Sequence, residues 1–281
     1  MQKIGVIGAG VMGCGVAQCF ASHGHSVILI DVTEEKLQVA KQEISNNTRM
    51  QRFFDKNAHT PEDVVKNVVF TLDYSLLANA DFIIENVPET RDAKQQAYCS
   101  AGMHASKECI YLANTSCISI TEMASFIQEP SQMVGVHFMN PVYAKPAVEV
   151  ITGFHSSEMT LAVVQELLQS VKKEAIVVND YPGFVSNRIS HLFMNEAAFV
   201  VQDQVAAPEA VDAIFKKCYG HKMGPLETAD LIGLDTVVNS LDILYTSYQD
   251  SKFRCCPLLK KMVAAGLCGK KTGQGFYVYN K

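Results

Sequence analysis

A glycine-rich turn near the start of the chain constrains the fold more than any other feature. The apolar stretch KIGVI (3–7) predicts a buried strand, and Gly8, Gly10 and Gly13 follow it in a GxGxxG pattern. The segment VMGCGVAQCFASHG then predicts a helix that ends at Gly24, and SVILID (26–31) predicts a second strand that ends on Asp31. This order of elements indicates the first βαβ unit of a parallel sheet.

Each residue of this unit suits a dinucleotide. Gly8 permits the tight turn, Gly10 lets the backbone approach a pyrophosphate, and Gly13 allows the helix to pack closely on the strand. The start of the helix offers N–H groups and a positive dipole end to the phosphates. Asp31, eighteen residues after Gly13, would bind the ribose hydroxyls and repel the extra phosphate of NADP. We therefore predict NAD as the cofactor, since a purely structural glycine turn would leave Asp31 unexplained.

The alternation of strands and helices continues to about residue 181. Apolar runs predict further strands at 68–71, 81–87, 110–114, 132–138, 147–152 and 174–179. Helical patterns lie between them at 34–54, 90–105 and 157–171. We predict an α/β domain over residues 1–181, with a Rossmann-type doubly wound sheet.

The pattern changes at DYPGF (180–184), after which only helical periodicity remains. Helices are predicted at 184–203, 208–219, 233–248 and 257–265, and Asp180 and Pro182 suit the start of the first one. Residues 182–281 are therefore expected to form a smaller, all-helical C-terminal domain. A ligand site between two such domains is the default expectation.

Composition excludes several classes of function. The net charge of −5 and the pI of about 5.9 give no reason to expect a nucleic-acid partner. The sequence has no apolar run of 18 residues and no signal-peptide pattern, so we expect no membrane segment. Its nine cysteines form no CxxC pair, which favours reduced thiols in a cytoplasmic protein over disulfides or a metal site.

Polar residues follow several predicted strands at the edge where ligands of such sheets bind. They lie in IENVPE (84–89), LANTSC (112–117), VHFMNP (136–141) and VEVIT (148–152). His137 by itself could be an ordinary buried histidine. A histidine with a nearby carboxylate, however, is the minimal arrangement for general base catalysis. Beside NAD, the natural reaction is the oxidation of a secondary alcohol.

Several motifs in combination carry a resemblance to a known family. They are NTS, HFMNP 21 residues after its serine, VEV, PGFVSNR and MGPLETADLIGLD. The chain resembles, essentially from end to end, the L-3-hydroxyacyl-CoA dehydrogenase family, particularly its bacterial 3-hydroxybutyryl-CoA members. The resemblance implies that His137 is the general base, that Glu149 pairs with it, and that Ser116 and Asn187 hold the substrate oxygen.

The resemblance also assigns residues to the cofactor. It implies that Glu89 and Lys94 lie near NAD and that Asn140 shapes the loop after His137. Together with the glycine turn, it places these residues at the cofactor: Gly8, Gly10, Val11, Met12, Gly13, Asp31, Glu89, Lys94, Asn114, Ser116 and Asn140.

Two departures from the family pattern concern the substrate. The loop PVYAKPAVEV has Pro146 three residues before Glu149, with Lys145 displaced by one position, and a proline stiffens this loop. In the stretch 44–58, Asp55 stands where the family commonly has a lysine that approaches coenzyme A. The same stretch contains Thr48, Arg49, Arg52 and Lys56, and two phenylalanines expected to be half exposed, Phe53 and Phe54.

Three functions remain open on the sequence. The first is an NAD-dependent dehydrogenase of short 3-hydroxyacyl-CoA thioesters. The second is the same chemistry on a hydroxyacyl or glyceryl unit carried by an acyl carrier protein, as in polyketide extender-unit biosynthesis. The third is a non-catalytic NAD-binding protein, like the related lens crystallins, which would have no need of the set Ser116, His137, Glu149 and Asn187.

The predicted helical domain is rich in apolar side chains, and the family resemblance implies a homodimer through it. An intramolecular core is the alternative. The residues concerned are Phe193, Phe199, Val200, Ile214, Phe215, Leu231, Leu234 and Leu241.

Overall fold

The computed structural model describes residues 1–56 and 58–279, and the chain divides into two compact units, Met1–Tyr181 and a second from Pro182 onward. The first unit contains an eight-stranded sheet in the order β3-β2-β1-β4-β5-β6-β7-β8. Neighbouring strands are parallel except β6 and β7, which are antiparallel. The strands are β1 Lys3–Ile7, β2 Ser26–Ile30, β3 Val68–Thr71, β4 Phe82–Glu85, β5 Ile110–Asn114, β6 Met133–His137, β7 Ala147–Thr152 and β8 Glu174–Asn179. The prediction of a doubly wound α/β sheet is confirmed.

The described residues of this unit contain six α-helices: α1 Val11–Ala21, α2 Glu34–Phe54, α3 Pro61–Lys66, α4 Arg91–Gly102, α5 Ile120–Ala124 and α6 Glu158–Ser170. A serine or threonine precedes each of α2 to α6, and its hydroxyl accepts a hydrogen bond from an N–H of the first turn. Helix α1 differs, because it begins after Gly10, which has no side chain to act as a cap. The first N–H groups of α1 therefore need a hydrogen-bond acceptor other than a capping side chain.

The strand order fixes where a ligand binds. The chain runs outward from β1 through β2 to β3 and then returns to the other side of β1 at β4. A crevice opens at this reversal, outside the carboxyl ends of the strands. The carboxyl ends of β1, β4, β5 and β6 share one edge because these strands are parallel. Val6 and Ile84 of the central strands are fully buried with Val16 of α1, so a packed core supports this edge.

The second unit is helical in the part that the structure describes. Its α-helices are α7 Ser186–Gln202, α8 Pro208–Cys218, α9 Pro225–Ile232, α10 Leu234–Tyr248 and α11 Pro257–Ala264. Met194, Val237 and Leu259 pack in its core. Helix α9 was not predicted, although Pro225 at its first position is a common start signal.

One predicted helix start is wrong. Asp180 and Pro182 do not open α7, which begins at Ser186. The Asp180 carboxylate instead accepts hydrogen bonds from the Ser119 hydroxyl (2.7 Å) and from the N–H and hydroxyl of Thr121 (2.8 and 2.7 Å). Asp180 therefore ties the end of β8 to the start of α5.

Membrane insertion through a helix finds no support in the described residues: none of their helices is both long and apolar enough to span a bilayer.

Candidate active site

A cavity of about 410 Å³ occupies the crevice beside β1. Its walls come from the glycine turn, the end of β2, the start of α2 and the segment after β4. The lining residues are Ile7, Gly8, Gly10, Val11, Met12, Ile30, Asp31, Val32, Lys36, Tyr74, Asn86, Val87 and Pro88. The glycine turn and Asp31, predicted from the sequence to bind one ligand, thus line one cavity.

The three glycines of the motif meet different surroundings. Gly8 has φ +100°, and an added Cβ would lie 2.6 Å from the carbonyl oxygen of Asn86. A Cβ at Gly13 would lie 1.8 Å from the carbonyl oxygen of Gly8. A Cβ at Gly10, in contrast, would meet no described atom within 4 Å. Gly8 and Gly13 are therefore required by packing, whereas Gly10 leaves open space at the start of α1, where a pyrophosphate would bind.

Asp31 is held firmly at the end of β2. Its carboxylate accepts hydrogen bonds from the N–H groups of Ala9 (2.7 Å) and Val32 (2.7 Å), and Lys36 lies 3.3 Å from it. The carboxylate therefore ties the glycine turn to β2 and faces the same cavity as Gly10. Open backbone at Gly10 and a fixed carboxylate at the ribose position fit a dinucleotide such as NAD.

A second cavity of about 230 Å³ adjoins the first, because Met12, Asn86 and Val87 line both. It also lies at the carboxyl ends of β4, β5 and β6. Its other lining residues are Glu89, Asn114, Thr115, Ser116, His137 and Phe138. Five of the predicted site residues, Met12, Glu89, Asn114, Ser116 and His137, thus line one cavity next to the first.

His137 lies between a carboxylate and a hydroxyl. Its Nδ1 is 2.8 Å from Glu149 Oε2, and its Nε2 is 3.2 Å from Ser116 Oγ. A carboxylate accepts the Nδ1 proton, so the neutral ring presents the lone pair of Nε2 toward Ser116. Both His137 and Glu149 are buried. This arrangement can remove a proton from a substrate hydroxyl and stabilise the resulting imidazolium.

Glu89 and Lys94 belong to one polar network, in which Lys94 is fully buried and Glu89 is partly exposed. Glu89 Oε1 accepts hydrogen bonds from the Thr115 hydroxyl (2.5 Å) and from the N–H groups of Ser116 (2.8 Å) and Cys117 (3.0 Å). The Lys94 ammonium lies 3.3 Å from Glu89 Oε2. Burial would raise the pKa of Glu89, but Lys94 and these hydrogen bonds outweigh it and lower the pKa below its usual value. Glu89 therefore stays ionised and clamps the turn that carries Ser116.

Sequence reasoning missed Glu85 and Tyr98. Glu85 is the last residue of β4 and is fully buried, and it binds the Lys94 ammonium through both carboxylate oxygens (3.0 and 2.8 Å). The Tyr98 hydroxyl donates to Glu85 as well (3.1 Å). Burial raises the pKa of Glu85 despite Lys94. An acid at the end of an otherwise apolar strand was the available signal for it.

The other predicted site residues have varied surroundings. Asn114 lines the second cavity, but its side chain also donates to Asn86 Oδ1 (2.6 Å) and accepts from the Phe138 N–H (3.3 Å). Asn140 is exposed beyond β6 and lies outside the lining residues of both cavities. Asn187 is the second residue of α7 in the other unit, where its carbonyl accepts a hydrogen bond from His191 Nδ1 (2.9 Å).

The end of α2, where the sequence departs from the family pattern, is only partly as expected. Thr48 is fully buried, and its hydroxyl donates to the carbonyl of Ile44 (2.8 Å), so it does not face solvent as a phosphate ligand would. Phe53 and Phe54 are each 79% exposed, well beyond the half expected. Arg49 is exposed as well. Asn57, within the predicted stretch, lies outside the described residues.

Lys145, in the loop between β6 and β7, is held through its backbone carbonyl and not through its side chain. Its carbonyl accepts a hydrogen bond from the ammonium of Lys173 (2.6 Å), which also donates to the carbonyl of Val142 (2.9 Å). The Lys145 side chain and Pro146 are exposed. Lys173 therefore anchors the loop that joins the strands of His137 and Glu149.

Comparison with known proteins identifies the family of the chain. Residues 3–181 match the family model of the 3-hydroxyacyl-CoA dehydrogenase NAD binding domain, and residues 183–279 match that of the 3-hydroxyacyl-CoA dehydrogenase C-terminal domain. The chain is 42% identical to a probable 3-hydroxybutyryl-CoA dehydrogenase of Deinococcus radiodurans, over 99% of this chain and 100% of that protein. It is 39% identical to a 3-hydroxybutyryl-CoA dehydrogenase of Clostridioides difficile, over the full length of both.

A solved structure shows the same architecture. The crystal structure of (S)-3-hydroxybutyryl-CoA dehydrogenase from Ralstonia eutropha superposes with a TM-score of 0.94 at 35% identity, covering 100% of both chains. The two domain models account for nearly every described residue, and the first of them is an NAD binding domain. The chain therefore belongs to the 3-hydroxyacyl-CoA dehydrogenase family and is an NAD-dependent oxidoreductase.

Proposed function

We propose that this protein interconverts a short-chain 3-hydroxyacyl-CoA of the 3-hydroxybutyryl type and its 3-oxoacyl form. One observation carries the proposal: His137 lies between Glu149 and Ser116 and lines the second cavity, which adjoins the cavity beside β1. The names of the relatives from Deinococcus radiodurans and Clostridioides difficile support the length of the acyl chain.

His137 is the general base in this proposal. Its Nε2 accepts the proton of the substrate's 3-hydroxyl group, which makes the ring an imidazolium. Glu149, which is hydrogen-bonded to Nδ1, stabilises the positive charge of this ring. The Ser116 hydroxyl, 3.2 Å from Nε2, orients the substrate oxygen. We assign a second contact with that oxygen to Asn187, from the resemblance of PGFVSNR to the family motif. Bound NAD supplies the carbon that accepts the hydride.

The same residues serve the reverse reaction. Protonated His137 returns its proton to the oxygen of the 3-oxo group, and Glu149 again balances the charge on the ring. The protein therefore needs no nucleophile, and Cys117 beside Ser116 has no catalytic role in this scheme. The roles of Glu89 and Lys94 are to hold the turn of Ser116 rather than to exchange protons.

The experiment follows NADH absorbance with two matched substrates. Acetoacetyl-CoA tests the free thioester, and an acetoacetyl or glyceryl acyl-carrier-protein conjugate tests the alternative carrier. Fast turnover on acetoacetyl-CoA is the expected result. Turnover on neither substrate, with NADH still bound, would contradict the proposal and favour the non-catalytic, crystallin-like function.

The carrier-protein alternative has one specific observation in its favour. The end of α2 exposes Phe53 and Phe54, and Thr48 of the same helix is buried. A surface with exposed aromatic rings and basic side chains suits an acidic helical partner as well as a nucleotide. Turnover on the carrier conjugate alone would establish this alternative.

We also propose that the protein is a homodimer that associates through the helical unit. Leu234 and Leu241, two of the apolar residues considered from the sequence, are fully buried in the core of this unit, whereas Ile214 and Leu231 are 50% and 53% exposed. Exposed apolar side chains of this kind often mark an interface. Light scattering at micromolar concentration should give the mass of two chains, and a monomer would contradict the proposal.

A further inference from the structure

A buried ion pair contacts two residues that line the second cavity, Glu89 and Asn114, and one of its members has no role in the proposed mechanism. Glu85 and Lys94 are both fully buried, as is Tyr98 beside them. Lys94 contacts both oxygens of Glu85 at 3.0 and 2.8 Å. Glu85 Oε1 also accepts the N–H of Val87 at 2.6 Å, so this carboxylate is fixed to the segment that follows β4.

Lys94 joins Glu85 to the catalytic turn. Its ammonium also lies 3.3 Å from Glu89 and donates to the carbonyl of Asn114 at 3.0 Å. An ammonium group has three N–H donors, and its hydrogen bonds to the two oxygens of Glu85 and to the Asn114 carbonyl account for all three, so the contact with Glu89 is ionic. The position of Lys94 is therefore determined from three sides, and Glu85 supplies its two shortest ionic contacts.

Glu89 passes this constraint to Ser116. One of its oxygens faces Lys94, and the other accepts hydrogen bonds from Thr115, Ser116 and Cys117. The hydroxyl of Ser116 in turn lies 3.2 Å from His137 Nε2. The chain of contacts from Glu85 to His137 is continuous, and each link is 3.3 Å or shorter.

Stability is a poor explanation for this network. Removing two charges from water costs several kcal/mol for each ion, and well-packed apolar residues often replace a buried pair without loss. Orientation is a better explanation, because a catalytic group must be held within about half an ångström of its working position.

We propose that Glu85 is a positioning residue that fixes Lys94, so that Glu89 sets the turn of Ser116 and places its hydroxyl against His137. Glu85 contacts neither substrate nor cofactor in this role. Its effect on catalysis rests on the proposed function, whereas its effect on the Ser116–His137 contact does not.

The decisive test reads that contact without any substrate. Histidine is labelled with ¹⁵N, and the Nε2 resonance of His137 is recorded in the wild type, in Ser116→Ala and in a double variant with Glu85→Leu and Lys94→Met. The double variant removes both charges of the fully buried pair. Glu89 loses Lys94 but keeps the hydrogen bonds from Thr115, Ser116 and Cys117 and is partly exposed, so folding should be retained. We expect its Nε2 resonance to move toward that of Ser116→Ala. A resonance that stays at the wild-type value would overturn the proposal.

A matched control separates position from stability. Ile84→Val removes one methyl group from the fully buried residue just before Glu85 and so loosens the packing of the strand, but it leaves the network intact. We expect its Nε2 resonance to remain that of the wild type. If Ile84→Val moves the resonance as far as the double variant does, general loosening of the sheet explains the effect and the positioning role is wrong.

Kinetics supply the second readout. We expect the double variant to lose roughly 10- to 100-fold in kcat, since small misplacements of catalytic groups have effects of this size, while KM for the thioester stays nearly unchanged. In a Ser116→Ala background the same changes should cost much less, because Glu85 acts through Ser116. Equal losses in both backgrounds would contradict the inference. If the wild type showed no turnover, the proposed function would be wrong. The Nε2 resonance of His137 would still test whether Glu85 positions Ser116.

Discussion

His137 and Glu149 are register partners on the antiparallel strands β6 and β7, and a 2.8 Å contact joins Nδ1 of the histidine to Oε2 of the glutamate. Directly opposed residues of an antiparallel pair have side chains about 5 Å apart at Cβ and project to the same face. The backbone of the sheet, rather than a loop, therefore brings the base and its partner together.

Replacing His137 by glutamine should abolish turnover and leave the cofactor site intact. Glutamine keeps a polar side chain but cannot take up a proton, and loss of a general base typically costs 10²- to 10⁴-fold in rate. Steady-state kinetics and a titration of NADH fluorescence would check both parts, and the protein has no tryptophan to interfere. A variant that retained the wild-type rate would rule out the mechanism.

Replacing Glu149 by glutamine should lower kcat while NADH affinity is retained. The amide can still contact Nδ1, but it has no charge to stabilise the imidazolium. We expect a loss of about tenfold or more, since a lost charge-assisted hydrogen bond is worth roughly 1.5–3 kcal/mol. Wild-type kcat in this variant would show that the charge of Glu149 is not needed.

Substitutions at two glycines of the turn should have different effects, one on the stability of the fold and the other on cofactor binding. Gly13→Ala places a Cβ against the carbonyl of Gly8 and should destabilise the protein by about 1–3 kcal/mol or more. Gly10→Ala meets open space, so it should fold normally but bind NADH more weakly. Thermal unfolding and NADH titration of the two variants would test this contrast, which the reverse pattern would contradict.

Asp31→Ser should shift the cofactor preference toward NADPH. The serine hydroxyl can still accept the N–H of Ala9, whereas the carboxylate that repels a 2′-phosphate is gone. Lys36, 3.3 Å from the carboxylate in the wild type, would then be available to that phosphate. We expect the ratio of NADPH to NADH affinity to rise about tenfold or more, the value of one charge-assisted hydrogen bond.

Lys36→Ala in the Asp31→Ser background is the control for this change. The gain in NADPH affinity should largely disappear when the lysine is removed. An undiminished gain would mean that relief of repulsion alone, without Lys36, determines the preference.

The acid dependence of stability should report Glu89. The folded pKa of Glu89 is lowered, so its ionised form stabilises the fold above its unfolded pKa of about 4.3, and this contribution is lost as the pH falls through the lower folded pKa. Glu85 acts with the opposite sign, because its folded pKa is raised. Glu89→Gln should therefore be less stable than the wild type at pH 7.

Acidification should reduce the difference between Glu89→Gln and the wild type. Urea unfolding followed by circular dichroism at several pH values between 3 and 7 would measure it. If the difference in the free energy of unfolding grew as the pH fell, the ionised form of Glu89 would destabilise the fold, contrary to the prediction.

Local sequence patterns predicted most of the fold for physical reasons. Strands such as β5 and β7 are apolar runs of the usual length, and α2 combines helical periodicity with a Thr33 cap, so both kinds of element carry their own signal. Helices α3 and α5 were missed because six and five residues contain too little periodicity to recognise.

The site was predictable only in part. The glycine turn and Asp31 follow from local chemistry, because each neighbouring element is close in sequence. The pairing of His137 with Glu149 depends on strand register, which no local pattern contains, and only the family resemblance indicated it. Glu85 was missed because its function depends on Lys94 and Glu89, which lie on other elements.

The antiparallel pairing of β6 and β7 also determines which changes in chain length the catalytic site can tolerate. The connecting segment 138–146 can gain or lose residues without altering which residue lies opposite His137, provided that both strands keep their pairing. A one-residue slip of β7 instead brings Val148 or Val150 opposite the histidine and turns Glu149 to the other face of the sheet. The spacing inside β7 is therefore fixed by the chemistry of the site, whereas the length of the loop is not set by the pairing.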